Sequence, residues 1–120
     1  MRARVTFYHN PRCSKSREAL RLLRAHDVDL DVVEYLKTPL SLPELENLLH
    51  KLEIEPEALM RRQEPAWREA GLDQPGVGRT VLLEALAREP RLMERPVAVC
   101  GARAVIGRPP TSVLQILDES

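Results

Sequence analysis

The stretch Tyr8-His9-Asn10-Pro11-Arg12-Cys13-Ser14-Lys15-Ser16-Arg17 gathers the residue types that can do chemistry within ten positions. Alternation of Val5 and Phe7 predicts a short strand over Val5–Tyr8, and His9-Asn10-Pro11 breaks it. From Ser14 the apolar residues Ala19, Leu20 and Leu23 follow helical spacing to about Ala25. Cys13 is therefore expected at a helix N-terminus, where unpaired backbone N–H groups and the positive end of the helix dipole favour a thiolate over a thiol. Arg12, Lys15 and Arg17 act in the same sense, and a protonated His9 would too. The same N–H groups and guanidinium forks suit a tetrahedral oxyanion such as phosphate. A nucleophile and an anion cradle thus coincide. A lone cysteine is ordinarily buried and inert; the basic flanks and the strand-to-helix position set Cys13 apart. Ser16 stands where a Cys-x-x-Cys pair would place its second sulfur, so no local disulfide can form, and an oxidised Cys13 must be resolved by an outside thiol or by Cys100.

The elements that must position this loop follow from pattern. A turn at Asp27–Asp29 and a second strand over Leu30–Tyr35 complete a strand–helix–strand unit with parallel strands. Ser41-Leu42-Pro43-Glu44 is a capping box with proline in the first turn, followed by Leu45, Leu48, Leu49 and Leu52 on one helical face. A short second helix is expected over Glu57–Arg62, a single turn over Trp67–Ala70 and a loop over Asp73–Gly78. Thr80 is expected to cap a third helix that Pro90 ends. After Arg95-Pro96 come a strand over Val97–Val99, a tight turn at Gly101-Ala102 and a hairpin partner over Arg103–Ile106. A closing helix capped by Thr111 or Ser112 carries Val113, Leu114 and Leu117. This order is that of a thioredoxin-like α/β fold, a mixed sheet with a helical subdomain inserted at about residues 41–90 of a single domain spanning 1–120.

Composition bounds the partners. The chain has 120 residues, 43% of them hydrophobic, and 18 basic against 18 acidic residues give a formal net charge of zero. Nucleic acid and anionic membranes have no global electrostatic attraction for such a chain. No apolar run is long enough to cross a bilayer, and charges interrupt the N-terminus before a signal-peptide core could form. A reducing, cytoplasmic compartment is expected, with Cys13 and Cys100 as thiols at rest. The two match no zinc spacing, and no metal site is expected. Cys100 reads as packing at a strand end, and His26 and His50 as ordinary residues near helix C-termini.

The chain resembles the glutaredoxin-dependent arsenate reductase family over nearly its whole length. The resemblance rests on His9-Asn10-Pro11-x-Cys13-x-x-Ser16-Arg17, Leu59-Met60-Arg61, Glu94-Arg95-Pro96-Val97 and Ile106-Gly107-Arg108-Pro109-Pro110. It implies that Cys13 is the nucleophile and that Arg61, rather than its neighbour Arg62, binds the oxyanion and its thiol adduct together with Arg95 and Arg108. His9 and Ser16 would tune the thiolate, with Asn10 and Arg17 supporting the loop. It further implies no bound cofactor, glutathione as co-substrate, glutaredoxin as partner, and a monomer. In that scheme Cys13 attacks arsenic, glutathione attacks the adduct, and glutaredoxin removes the glutathione as arsenite leaves. The resemblance also places a cis-proline after Arg95. The loop reads Cys-Ser-Lys-Ser-Arg where arsenic-resistance members have a Gly-Thr pair between Cys and Ser, which is similar to a branch whose arsenate activity is assigned by likeness. A related family with this fold comprises redox-sensing regulators that bind RNA polymerase, but these carry Cys-x-x-Cys at the loop. A non-enzymatic binding module is the third alternative.

Overall fold

A computed structural model describes residues 3–117. They form two compact units: Pro39–Glu94 is one, and the residues up to Thr38 join those from Arg95 onward in the other.

The first unit is built on a four-stranded sheet in the order β2-β1-β3-β4. Strand β1 (Ala3–His9) lies parallel to β2 (Val28–Glu34), with His9 opposite Glu34. It lies antiparallel to β3 (Val97–Cys100), with Tyr8 opposite Val97. Strand β4 (Arg103–Ile106) closes the hairpin with Ile106 opposite Val97. Gly101 takes the hairpin turn at φ +60°, a conformation that favours a residue without Cβ.

Strand parity decides what the sheet buries. Val5, Phe7 and Ala98 face one side, where helix α1 (Ser14–Arg24) and the closing segment cover them with Ala19, Leu20, Leu23, Val113 and Ile116. Val5, Phe7, Ala19 and Leu23 are fully buried. Truncating Phe7 to Ala would cost about 3–5 kcal/mol by the usual transfer and cavity terms. Cys100 is partly buried against the same cluster, as its reading as a packing residue anticipates. Strand β2 begins at Val28, so the chain turns over Ala25–Asp27 rather than Asp27–Asp29. The closing segment Pro110–Leu117 is a 3₁₀ helix, and Thr111 and Ser112 lie inside it rather than at its cap.

In the second unit, α2 (Leu42–Leu52) starts on the anticipated capping box. Ser41 Oγ accepts from the Glu44 N–H at 3.3 Å, and Glu44 Oε1 accepts from the Ser41 N–H at 2.9 Å. Its stripe of Leu45, Leu48 and Leu49 is buried. Helices α3 (Pro65–Glu69) and α4 (Arg79–Arg88) follow. Two expectations change here. The helix expected over Glu57–Arg62 is a 3₁₀ turn, Pro56–Leu59, because Met60 is drawn into a β-bridge with Met93. Bonds from Arg61 N–H to Leu92 C=O (2.7 Å) and from Glu94 N–H to Leu59 C=O (2.6 Å) flank that bridge. A pattern reader sees only local spacing, and these partners come from more than 30 residues away. Gly78, not Thr80, is the N-cap of α4, and it gives no side-chain bond. Arg79 at its first position instead pairs with Glu46 and Glu55.

Candidate functional site

The loop after β1 is set by its own residues. Pro11 occupies the second position of a turn closed by the Cys13 N–H donating to the Asn10 C=O at 3.0 Å. Asn10 Oδ1 accepts from the Arg12 N–H at 3.0 Å, the side-chain-to-backbone bond for which Asn is favoured in turns. Arg17 reaches back from the first turn of α1 and donates to the Pro11 C=O at 2.9 Å. Asn10 and Arg17 thus each bond a backbone group of the loop.

Cys13 is the N-cap of α1, with extended φ −95° and ψ 122°, and its side chain makes no capping hydrogen bond. The first intrahelical bond runs from the Arg17 N–H to the Cys13 C=O at 3.0 Å. The N–H groups of Ser14, Lys15 and Ser16 precede it, and an N-cap side chain stands beside such groups. The first turn carries no acidic residue. Cys13 is half-buried, and Arg12, Lys15 and Arg17 are exposed around it. The arrangement offers a thiol flanked by donors and cations, able to attack an electrophile and to hold the anion that results.

Beneath the loop lies a buried polar pair. Parity places His9 on the core side after Val5 and Phe7, with its ring centroid 5.6 Å from that of Phe7. Helical spacing places Ser16 on the buried face of α1 with Ala19, Leu20 and Leu23. His9 Nδ1 and Ser16 Oγ meet at 2.7 Å, and Ser16 Oγ also accepts from the Asn10 N–H at 3.0 Å. Ser16 is wholly buried and links strand, loop and helix. Burial pushes the His9 imidazole below its ordinary value of 6.5; Glu34 opposes this, while Arg24 and Arg17 add to it. Burial favours the neutral ring over the protonated form that would add to the loop's positive charge, and the bond from Nδ1 is to Ser16.

The sheet register brings two of the predicted arginines to the loop's end of the sheet. β1 ends toward Cys13, β3 starts just after Arg95, and β4 ends just before Arg108. Arg95-Pro96 is a cis peptide, as expected, and Arg108-Pro109 is a second one, which the sequence reading did not foresee. Arg108 Nε donates to the Arg95 C=O at 2.9 Å, tying the two turns together. Arg95 Nε and one terminal nitrogen of its guanidinium are buried with no hydrogen-bond partner among the described residues. Buried guanidinium donors nearly always have acceptors, so these two have the capacity to donate to one. Arg61 belongs to the other unit, where its side chain, about three-quarters buried, pairs with Glu64 at 2.9 Å. Glu64 drew no attention in the sequence, although its i, i+3 spacing from Arg61 was there to read.

Cys100 is excluded as an internal partner of Cys13. It pairs with Arg103 at the far end of the hairpin, three residues or about 10 Å along β3 from Val97. A disulfide needs Cα atoms within about 7 Å. Among the described residues no cluster of three or more His, Cys, Asp or Glu could hold a metal ion. No helix among them is long and apolar enough to cross a membrane.

Comparison with known proteins agrees with this architecture. YfgD of Escherichia coli strain K12 is 43% identical over 118 residues, covering 98% of this chain and 99% of that protein. The arsenate reductase of Neisseria meningitidis serogroup A is 40% identical over 114 residues, covering 94% and 97%. The solved structure of an arsenate reductase from Vibrio cholerae superimposes with a TM-score of 0.93 at 41% identity, covering 97% of this chain and 99% of that one. The mixed four-stranded sheet with its helices is the thioredoxin-like fold of these relatives. With residues 8–116 also matching the sequence profile of the ArsC family, this chain belongs to that family.

Proposed function

We propose that the protein reduces arsenate, or a closely related tetrahedral oxyanion, through an adduct on Cys13 that glutathione and glutaredoxin resolve. The Cys13 thiolate attacks As(V) and displaces hydroxide or water, forming a sulfur–arsenic bond. Glutathione then attacks the Cys13 sulfur. The sulfur–arsenic electron pair stays on arsenic, which leaves as As(III), while the two sulfurs become one disulfide. Glutaredoxin takes the glutathione and returns Cys13 to its thiol. No internal thiol can perform the second step, because Ser16 fills the local position with an oxygen and Cys100 lies at the far end of the hairpin. Arg95, Arg108 and Arg61 bind the oxyanion and its adduct, and Asn10 and Arg17 keep the loop closed around it. His9 and Ser16 hold the helix start against the strand. Dependence on glutathione places the protein in a reducing compartment, the cytoplasm, where it acts as a monomer.

The observation that carries this reading is the pair of buried Arg95 nitrogens, without a partner among the described residues, at the end of the sheet that also bears Cys13. They ask for an acceptor with several oxygens, and the thiol at the same end of the sheet asks for an electrophile. Arsenite release in the presence of glutathione and glutaredoxin tests it. Wild type turns over and Cys13→Ser does not; a wild type without turnover rejects arsenate as substrate. Arg95→Ala weakens oxyanion binding about 10- to 100-fold, the worth of one or two hydrogen bonds to a charged group.

A further inference from the structure

We propose that Gly107 is a positioning residue for the oxyanion site, holding the Arg95 and Arg108 turns at the separation that binding requires. The inference rests on the reading of Arg95 as an oxyanion ligand and adds to it the part that sets its place.

Gly107 follows β4 and is buried. Its N–H donates to the Pro96 C=O at 2.8 Å. A Cβ added at this position would lie 2.7 Å from Pro96 Cγ, 3.3 Å from Pro96 Cδ and 2.8 Å from Val113 Cγ1. Carbon atoms in contact prefer about 3.5–4.0 Å, so neither neighbour could stay where it is. The need for glycine here is one of space and not of backbone angle. The described glycines with positive φ are Gly71, Gly76 and Gly101, and each has open room for a Cβ.

What Gly107 touches gives this contact its consequence. Pro96 is covalently joined to Arg95, and Arg108 is joined to Gly107. A bond from Arg108 Nε to the Arg95 C=O spans the same gap at 2.9 Å. The two turns are therefore joined by a backbone hydrogen bond from Gly107 and a side-chain hydrogen bond from Arg108, both within the stretches 95–96 and 107–108, with no room between them for a side chain at 107. Val113 backs the contact from the core, where it is fully buried. A methyl group at 107 has two ways to make room: push Val113 into the core, or push Pro96 and carry the Arg95 guanidinium with it. The second displaces a binding group, and proximity effects make shifts of about 1 Å costly.

The test separates these two outcomes with three variants and arsenate as probe. All are made in the Cys13→Ser protein, so that binding is measured without turnover. Val113→Ala alone lowers Tm but leaves the arsenate Kd within about twofold of the parent. Gly107→Ala with Val113 in place meets the packed core, so the displacement falls on Pro96 and the Kd weakens at least tenfold. In that variant the NMR resonance of the Arg108 Nε–H moves, because its bond to the Arg95 C=O is stretched. Gly107→Ala/Val113→Ala has room on the core side and recovers affinity to within about twofold of the parent. A Gly107→Ala protein that binds arsenate as well as the parent, or a double variant that recovers no affinity, overturns the role of Gly107 and leaves the oxyanion reading standing. A parent protein with no arsenate affinity overturns both.

Discussion

The starts of α1 and α2 solve the same physical problem in opposite ways. Each helix begins with N–H groups that its own ladder cannot satisfy. At α2, Ser41 and Glu44 exchange bonds and Pro43 brings no N–H at all, so the helix start is satisfied from within. At α1 the N-cap is Cys13, which makes no capping bond, no acidic residue follows in the first turn, and the flanking charges are Arg12, Lys15 and Arg17. The α1 start is also anchored from below rather than from its own end: Ser16, buried, bonds the strand residue His9 and the loop N–H of Asn10. One start is built for stability. The other gives up its cap and keeps its donors beside a thiol.

Cys13→Ser is the sharpest way to break this contrast. Serine is a preferred N-cap, so α1 should gain about 0.5–1 kcal/mol in denaturant unfolding. Turnover should fall at least about 1,000-fold in the arsenite-release assay, as expected for loss of a nucleophile. A variant that loses activity without gaining stability would show that α1 was already satisfied. Ser16→Ala comes next. It strands the Asn10 N–H and His9 Nδ1 in the interior and should cost about 1–3 kcal/mol by thermal or chemical unfolding. It should also slow alkylation of Cys13 by iodoacetamide, because the helix start loses its tie to the strand. Ser41→Ala removes half of the capping box and should cost about 1 kcal/mol. It should leave Cys13 alkylation unchanged, which separates the two starts by function.

The smallest effect concerns pH. His9 is held below its ordinary value of 6.5, so the unfolded chain takes up a proton at that position more readily than the folded one. Its contribution to stability is complete above 6.5 and declines as pH falls from there through the lower folded value. Unfolding free energy should fall over that range in wild type, and His9→Gln should flatten the slope. Equal slopes in the two proteins would place the titration elsewhere.

Much of this was legible beforehand, for reasons that differ by segment. The strand at Val5–Tyr8, the helix from Ser14 and the capping box at Ser41 announce themselves because period, cap and breaker agree within a few residues. The segment around Met60 misled because its partner, Met93, is far along the chain, and Pro110–Leu117 misled because apolar spacing alone does not separate a 3₁₀ helix from an α-helix. The resemblance named Arg61, Arg95 and Arg108, but single arginines carry no local signal of their purpose. Most are solvated surface charges.

The amino-acid sequence by itself determined the chemistry of the loop: a cysteine at a helix start, a serine in place of a second sulfur, and flanking cations. Those are local properties, written in neighbours within one or two turns. Tertiary structure alone decided which groups stand around that loop. Strand register set Arg95 and Arg108 at its end of the sheet, and the missing side chain of Gly107 let their turns meet. Burial turned His9 toward its neutral form and against Ser16. Register, burial and close approach are relations between distant segments, and they come into being only when the sheet forms.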